Sequence, residues 1–365
     1  MDVIELSKEL IRFDTRSPIG NEEEIALFVG NILKAEGFEV DYPSYAQGRL
    51  NLIASKGVSK DKKPIVFTGH FDVVPFGDKE WTVNPLGGIE KAGKLYGRGA
   101  TDMKSAVAAM VVAAIESFKG TAPVGGVKLV LTANEEMGCL GAKALRDAGY
   151  ELGFARALIV GEPTSNVPMI GHKGGLYLKA STSGKTAHSS TPQLGENAIY
   201  KAASAITKIE GMEFPAKKHN LLGFPTINVG TIQGGQNLNS VPDWAEFSID
   251  VRTTPEFKGN EALQYLKEVL GRDVALEKLV DLDAVGSDAN DPFVRGVAGL
   301  CHCLSVDRKA ANYLTDASVL TPWLGEVPTV ILGPGEVEMA HQTDEFCYIH
   351  KIREVLELYK KIIKL

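Results

Sequence analysis

The hydrophobic positions of the chain follow two kinds of pattern. Val3, Leu6, Leu10 and Phe13 recur at helical spacing, which predicts an amphipathic helix over 3–13. After a turn at Ser17-Pro18-Ile19-Gly20-Asn21, residues 22–36 read as a second helix, acidic at its start, with Lys34 near its end and Gly37 as a stop. A short strand is expected over 51–55, followed by a charged, solvated turn over 59–63. Pro64 to Gly69, Val127 to Thr132, Ala157 to Val160 and Thr329 to Leu332 are short apolar runs, the kind found where a strand is buried on both faces of an α/β sheet. Small apolar residues from Met103 to Phe118 predict a helix, with Asp102 about where an N-cap stands. Further helices are expected over 141–148 and 349–363.

Near Lys173-Gly174-Gly175 the pattern changes. Leu176, Leu178, Ala180 and Thr182 alternate with Tyr177, Lys179, Ser181 and Ser183, as in an antiparallel strand with one face exposed. A helix over 197–209 places Ile199, Ala202, Ala203, Ile206 and Ile209 on one face. Alternating strands over 226–232 and 245–252 and a helix over 259–270 follow. Strand, helix, strand, strand, helix is the order of a small α+β sandwich. The expected architecture is an α/β domain with a mostly parallel sheet, formed by 1–173 and 284–365, interrupted by an inserted α+β domain at 174–283.

Composition narrows the class. The 365 residues are 44% hydrophobic and 23% charged, ordinary globular usage, and are enough for two domains. A net charge of -7 argues against a nucleic-acid partner. Four cysteines do not make a disulfide framework in a chain of this length. Cys301-His302-Cys303 lacks a second Cys/His pair at zinc-ribbon spacing, so it reads as thiols of a reducing compartment. The N-terminus has no basic segment followed by an apolar one, and the longest apolar run, Ala106 to Ile115, is too short to span a bilayer. A cytoplasmic protein without a membrane partner is expected.

Chemistry-bearing residues gather at the ends of the buried runs. His70 follows the first, Glu135 and Glu136 the second, Glu162 the third, and His341 lies in the loop after the last. Asp102 stands at a loop-to-helix junction. Any one of these acids alone is more simply a cap or a solvated loop charge, but in a parallel sheet those strand ends converge on one edge. Two imidazoles and four carboxylates together suit zinc, cobalt or manganese. Five ligands for two ions require a bridging carboxylate, and the sixth group is then free to act as a base. Asp72, two residues past His70, is expected to hold the other imidazole nitrogen.

These residues lie in motifs that resemble the M20 metallopeptidase and deacylase family. They are Thr68-Gly69-His70-Phe71-Asp72-Val73-Val74-Pro75, Gly97-Arg98-Gly99-Ala100-Thr101-Asp102-Met103-Lys104, Ala133-Asn134-Glu135-Glu136, Gly161-Glu162-Pro163-Thr164, Ala187-His188-Ser189-Ser190 and Ala340-His341-Gln342-Thr343-Asp344-Glu345. They occur in the family's order and cover nearly the whole chain. The resemblance implies that His70 and Glu162 hold one ion, Glu136 and His341 the other, and that Asp102 bridges them. It makes Glu135 the general base and Asp72 the residue that orients His70. It also implies a cis peptide at Asp102-Met103. The inserted domain becomes a lid through which a homodimer forms, and His188 a group that steadies the oxyanion in a neighbouring subunit. Arg252 matches the family's lid arginine for a substrate carboxylate, a task suited to guanidinium. Asn239, Thr315 and Gly333 are further expected substrate contacts.

The implied reaction is metal-dependent hydrolysis of a linear amide, with two divalent ions, zinc first and cobalt or manganese as alternatives. Gly171-His172-Lys173-Gly174 and Gly333-Pro334-Gly335 look most like the acetylornithine deacetylase branch. The desuccinylase branch usually carries an arginine pair where His172-Lys173 stands. The expected substrate is an N-acyl-L-amino acid, with acetylornithine leading. The alternatives are succinyl-diaminopimelate and short peptides cleaved by a di- or carboxypeptidase. A metal-binding scaffold without catalysis is disfavoured, because the base and all five ligands are present.

Overall fold

A computed structural model of the chain describes residues 1–59 and 62–365. The charged turn expected over 59–63 includes Lys60 and Asp61, which lie outside the described residues. The chain divides into two compact units. The first is Met1–Gly171, Gly286–Ala310 and Thr315–Leu365; the second is His172–Val285 with Ala311–Leu314. The sequence pattern places the breaks at 173/174 and 283/284, two residues inside these.

The first unit is built on a six-stranded sheet. In spatial order its strands are Glu39–Asp41, Leu52–Lys56, Val127–Thr132, Ile65–His70, Ala157–Val160 and Thr329–Ile331. The last four run parallel, and Leu52–Lys56 is antiparallel to its neighbours. Every residue of Ile65–His70 and of Ala157–Val160 is buried, as their unbroken apolar character requires. Register then fixes the active edge. His70 pairs with Thr132, and Thr68 with Val160, so the chain leaves these three neighbouring strands at nearly one level. The next bonds are Phe71 N–H to the Thr132 carbonyl (2.8 Å) and Gly161 N–H to the Thr68 carbonyl (3.0 Å).

Helix Val3–Arg12 is capped by Asp2, whose carboxylate accepts from Ile4 N and Glu5 N, and buries Leu6, Leu10 and Ile11. Helix Ser105–Ser117 is buried on all sides except at Glu116 and packs between Val3–Arg12 and Ile349–Ile362. That explains its apolar surface all round. It starts later than its composition predicts. Residues Ala100–Lys104 form a kinked turn in which Asp102 (φ -124°, ψ 91°) and Met103 (φ -139°, ψ 30°) leave helical geometry, and the Asp102-Met103 bond is cis. Asp102 makes no cap to this helix, because its carboxylate is turned elsewhere.

The second unit is a four-stranded antiparallel sheet in the order Thr226–Gly234, Trp244–Thr253, Gly174–Ser183, Val274–Leu282. Helices Ala198–Ile209 and Gly259–Leu270 pack on it. Leu176, Leu178, Ala180 and Thr182 are buried in strict alternation. Leu176, Leu178 and Ala180 share a core with Ala202, Ala205, Phe247, Ile249, Val251 and Leu266. Ala205, rather than the expected Ala203, completes the buried helix face. Strand Val274–Leu282 is an addition to the expected elements. Its register against Gly174–Ser183 slips at Tyr177/Leu178, so its own burial does not alternate and its sequence shows no period of two.

Candidate metal centre

His70 is the last residue of its strand, and its ring is 1% exposed. Nδ1 donates to the main-chain carbonyl of Asp72 (2.9 Å), which leaves Nε2 facing Asp102 Oδ1 at 3.1 Å and Glu162 Oε1 at 3.6 Å. On the other side, His341 Nε2 faces Glu136 Oε1 at 3.2 Å and Asp102 Oδ2 at 3.4 Å. Each oxygen of Asp102 thus meets a different imidazole. An imidazole whose Nδ1 proton is already committed presents a lone pair at Nε2, and lone pairs do not face carboxylate oxygens unless a proton or a cation stands between them.

The electrostatics say the same. Burial opposes charge on His70, yet Asp102, Glu162 and Asp72 around it carry its pKa well above the usual range. Contacts with Asp102 and Glu136 push His341 up to about 10. Burial raises the pKa of Glu135, Glu162 and Glu136, and neighbouring carboxylates raise it further. Burial also opposes charge on Asp102, but the two histidines hold it well below the usual carboxylate range. Such a cluster is short of positive charge, and divalent ions supply it.

The spacing fits them too. Two ligands at about 2.0–2.1 Å from a tetrahedral ion stand about 3.3 Å apart. The four observed separations run from 3.1 to 3.6 Å. The residues therefore suit two ions, one among His70, Asp102 and Glu162 and one among Asp102, Glu136 and His341.

Other residues hold these ligands in place. Glu345, fully buried, gathers four donors. Its Oε2 accepts from Arg98 Nη1 (2.6 Å) and Gly99 N (3.0 Å), and its Oε1 from Thr101 N (2.8 Å) and Asp102 N (3.0 Å). This fixes the backbone from which Asp102 projects. Arg98 is equally buried and spends a second nitrogen on the Pro75 carbonyl (3.0 Å). Sequence reasoning quoted both residues within motifs but gave them no task.

The Asp72 carboxylate does not bond the His70 ring, from which it stands 3.7 Å; the carbonyl of the same residue does that. The strand ends at His70, so the two-residue alternation that predicted the contact no longer holds beyond it. Instead Asp72 Oδ1 accepts from Glu135 N (2.9 Å) and Oδ2 from Glu136 N (3.1 Å), which sets the turn bearing both glutamates. The Ser17 hydroxyl, from the loop after the first helix, lies 3.1 Å from Asp72 Oδ2 and 2.9 Å from Asn134 Oδ1.

Gly333 meets the Glu162 loop so closely that a Cβ would stand 2.2 Å from the Gly161 carbonyl oxygen. Its N–H donates to Thr164 Oγ1 (3.1 Å). Thr315 is fully buried, and its hydroxyl accepts from Ala317 N (3.1 Å). Thr315 and Gly333 are both buried, and both support the loops around the candidate ligands.

In the second unit, His188 and Asn239 are exposed on adjoining loops joined by Ser189 N to the Asn239 carbonyl (3.0 Å) and Val241 N to the Ala187 carbonyl (2.8 Å). His188 Nδ1 accepts from Ser190 N (3.2 Å), so Nε2 carries the ring proton of the neutral form and is the free donor. Arg252 is paired within its own strand, Nη2 to Asp250 Oδ2 and Nε to Asp250 Oδ1, both at 2.9 Å. His172 is buried with Nδ1 on the Lys173 carbonyl (2.8 Å), and Lys173 Nζ donates to the Phe224 carbonyl (2.6 Å).

Comparison with known proteins agrees with this geometry. Residues 66–365 match the description of peptidase family M20/M25/M40. A probable succinyl-diaminopimelate desuccinylase of Staphylococcus epidermidis is 31% identical, over 100% of this chain and 97% of its own length. An acetylornithine deacetylase of Myxococcus xanthus is 33% identical, over 93% of this chain and 90% of its own. Among solved structures, an M20 family metallo-carboxypeptidase from Sulfolobus solfataricus has the same fold, with a TM-score of 0.83 at 19% identity over 100% of this chain and 99% of that one. With a family match across most of its length and relatives alike from end to end, this chain belongs to peptidase family M20/M25/M40 and is an amidohydrolase of that family.

Proposed function

We propose that the chain removes the acyl group of an N-acyl-L-amino acid, acetylornithine first, with two zinc ions and Glu135 as general base. The observation that carries this reading is the division of labour at the strand ends. Asp102 turns one oxygen to each histidine, Glu136 and Glu162 each face one of them, and among the described residues the Glu135 carboxylate instead accepts from Cys139 Sγ. The chemistry two divalent ions supply when bound is a water acidified toward neutrality and a polarised amide carbonyl. Glu135 takes the proton of the attacking water at its carboxylate and hands it to the leaving amine nitrogen. His188 Nε2–H is a donor suited to the developing oxyanion, and Arg252 and Asn239 are groups suited to the substrate's own carboxylate and polar atoms.

The acyl group is the finer part of the reading. A succinyl carboxylate calls for a free cation, whereas His172 is buried and Lys173 is committed to a carbonyl. This supports a small, uncharged acyl group. The second reading, desuccinylation, is favoured by the name of the Staphylococcus epidermidis relative. We also propose a cytoplasmic homodimer. The strand Thr226–Gly234 is an edge with Ile232 54% exposed, beside a helix bearing Tyr200 at 74%, surface of the kind an interface covers. All four cysteines are free thiols, and among the described residues no helix is long and apolar enough to cross a membrane.

A hydrolysis panel of acetylornithine, succinyl-diaminopimelate and dipeptides, each with added zinc, cobalt or manganese, tests the assignment. The highest kcat/KM is expected on acetylornithine; a higher value on the succinyl compound or a dipeptide replaces it. Glu135→Gln is expected to retain two equivalents of metal and lose about 10²–10⁴-fold in kcat. A metal-replete variant with near-normal turnover removes Glu135 from the mechanism.

A further inference from the structure

Behind the proposed base lies a second gathering of ligand atoms that the two-ion site leaves unused. Cys139 closes the turn that carries the glutamate pair. Its N–H donates to the Glu135 carbonyl (2.8 Å), its backbone adopts a left-handed φ of 59°, and its Sγ lies 3.6 Å from Glu135 Oε1. Asp316, just before helix Ala317–Trp323, arrives at the same point from a distant part of the chain. Its Oδ2 accepts from Thr132 Oγ1 (2.5 Å), while Oδ1 is buried with no hydrogen-bond partner among the described residues. One ligand atom each from Glu135, Cys139 and Asp316 falls within 4.8 Å of the others. Cys139 is 0%, Asp316 3% and Glu135 9% exposed, so water does little to screen them.

A tetrahedral ion with sulfur at about 2.3 Å and oxygen at about 2.0 Å sets the two ligands about 3.5 Å apart. The observed sulfur–oxygen separation is 3.6 Å. A carboxylate oxygen of Asp316 supplies a third ligand. A thiolate selects zinc or cadmium over manganese or magnesium, which the oxygen and imidazole ligands of the neighbouring pair do not do so sharply.

We propose that Glu135, Cys139 and Asp316 form a third, thiolate-containing site for zinc or cadmium, and that filling it takes Glu135 out of service as a base. The Cys139 S–H bond breaks as the metal–sulfur bond forms, and the proton passes to solvent. Uptake of the third equivalent therefore releases protons and tightens as pH rises. Excess zinc inhibits the enzyme through this site, whereas excess manganese does not. The proposal uses the assignment of Glu135 as base only for its inhibitory consequence; the site itself does not depend on the acyl substrate.

The test loads the full-length protein with two equivalents of zinc and adds a third. In the wild type, zinc X-ray absorption is expected to gain a sulfur neighbour at about 2.3 Å only with the third equivalent. Cys139→Ser is expected to keep two equivalents, show no sulfur neighbour, and need about tenfold or more extra free zinc for the same fractional inhibition. A wild-type spectrum without sulfur at three equivalents overturns the proposal, as does a sulfur signal that survives in Cys139→Ser. Should Cys139→Ser fail to fold, Cys139→Ala takes its place, and Cys301→Ser/Cys303→Ser is expected to keep the sulfur neighbour. A protein that gains the sulfur neighbour but hydrolyses none of the panel keeps this site and loses the functional reading instead.

Discussion

Replacing Glu345 with glutamine separates the holding of Asp102 from the chemistry of Asp102. The carboxylate offers two oxygens to four buried donors: Arg98 Nη1, Gly99 N, Thr101 N and Asp102 N. An amide offers one oxygen, so whichever way it turns, two donors face an NH2 group and the Arg98 charge is left without its partner. Hydrogen bonds to a charged group contribute about 1.5–3 kcal/mol each, so two losses amount to about 3–6 kcal/mol. Breaking a buried ion pair by removing one member costs about 3–5 kcal/mol, which agrees. For a domain of 150–250 residues, about 2–4 °C per kcal/mol turns 3–5 kcal/mol into a fall in Tm of about 6–20 °C. Loosening the backbone behind Asp102 should also weaken metal binding by about 10–100-fold. Differential scanning calorimetry of metal-free protein and competition titration with a chelator measure the two effects. Arg98→Met is the control. It leaves the carboxylate on the three backbone donors, so it should lose stability while largely keeping metal affinity. Glu345→Gln with a Tm within about 2 °C of wild type and unchanged metal affinity refutes the reasoning. Arg98→Met weakening metal as much as Glu345→Gln refutes the positioning part alone.

Two further outcomes follow from residues away from the ions. Burial, aided by the Arg252 charge, holds His172 down to about 4. The fold keeps it neutral while the unfolded chain protonates it below about 6.5, so stability falls as pH drops from 6.5 toward 4, by about 3 kcal/mol in all. In metal-free protein the difference between wild type and His172→Gln, followed by urea unfolding across that interval, should change by that amount; parallel curves would exclude it. Gly333→Ala places a methyl group against the Gly161 and Glu162 carbonyls and should cost about 1–3 kcal/mol while displacing Glu162. Chelator titration should then show the ion at His70 and Glu162 weakened more than the ion at Glu136 and His341, and equal weakening would count against it.

The parallel strands and their ends are legible because burial on both faces writes itself into the sequence as an unbroken apolar run. His70, Glu135, Glu136 and Glu162 stand just where those runs stop. Asp102 and His341 stand in loops that no periodic element delivers, so they were legible only as members of the group that gathers at the strand ends. Strand Val274–Leu282 was hidden by the register slip opposite it. Helix Pro292–Leu300 had a readable start in Asp291-Pro292, a side-chain cap followed by a first-turn proline, and was missed only because its apolar face is short. The supporting contacts could not be read at all. Glu345 meets Arg98 across 247 residues, and Ser17 meets Asn134 across 117. Nothing local in a sequence records such a partner. Asp72 holds the His70 ring by its carbonyl rather than its carboxylate, because the strand alternation stops at His70, two residues earlier.

Asp102 gives one oxygen to each histidine from a backbone that Glu345 keeps still. Two ions sharing that one anion would not have independent affinities. The first to arrive would orient the carboxylate for the second but would also leave it less negative charge to bind. By reciprocity, whatever factor the first ion lends or denies the second, the second lends or denies the first. A single dissociation constant quoted for either half would describe the pair, and its sign of cooperativity reports whether orientation or charge sharing dominates at this carboxylate.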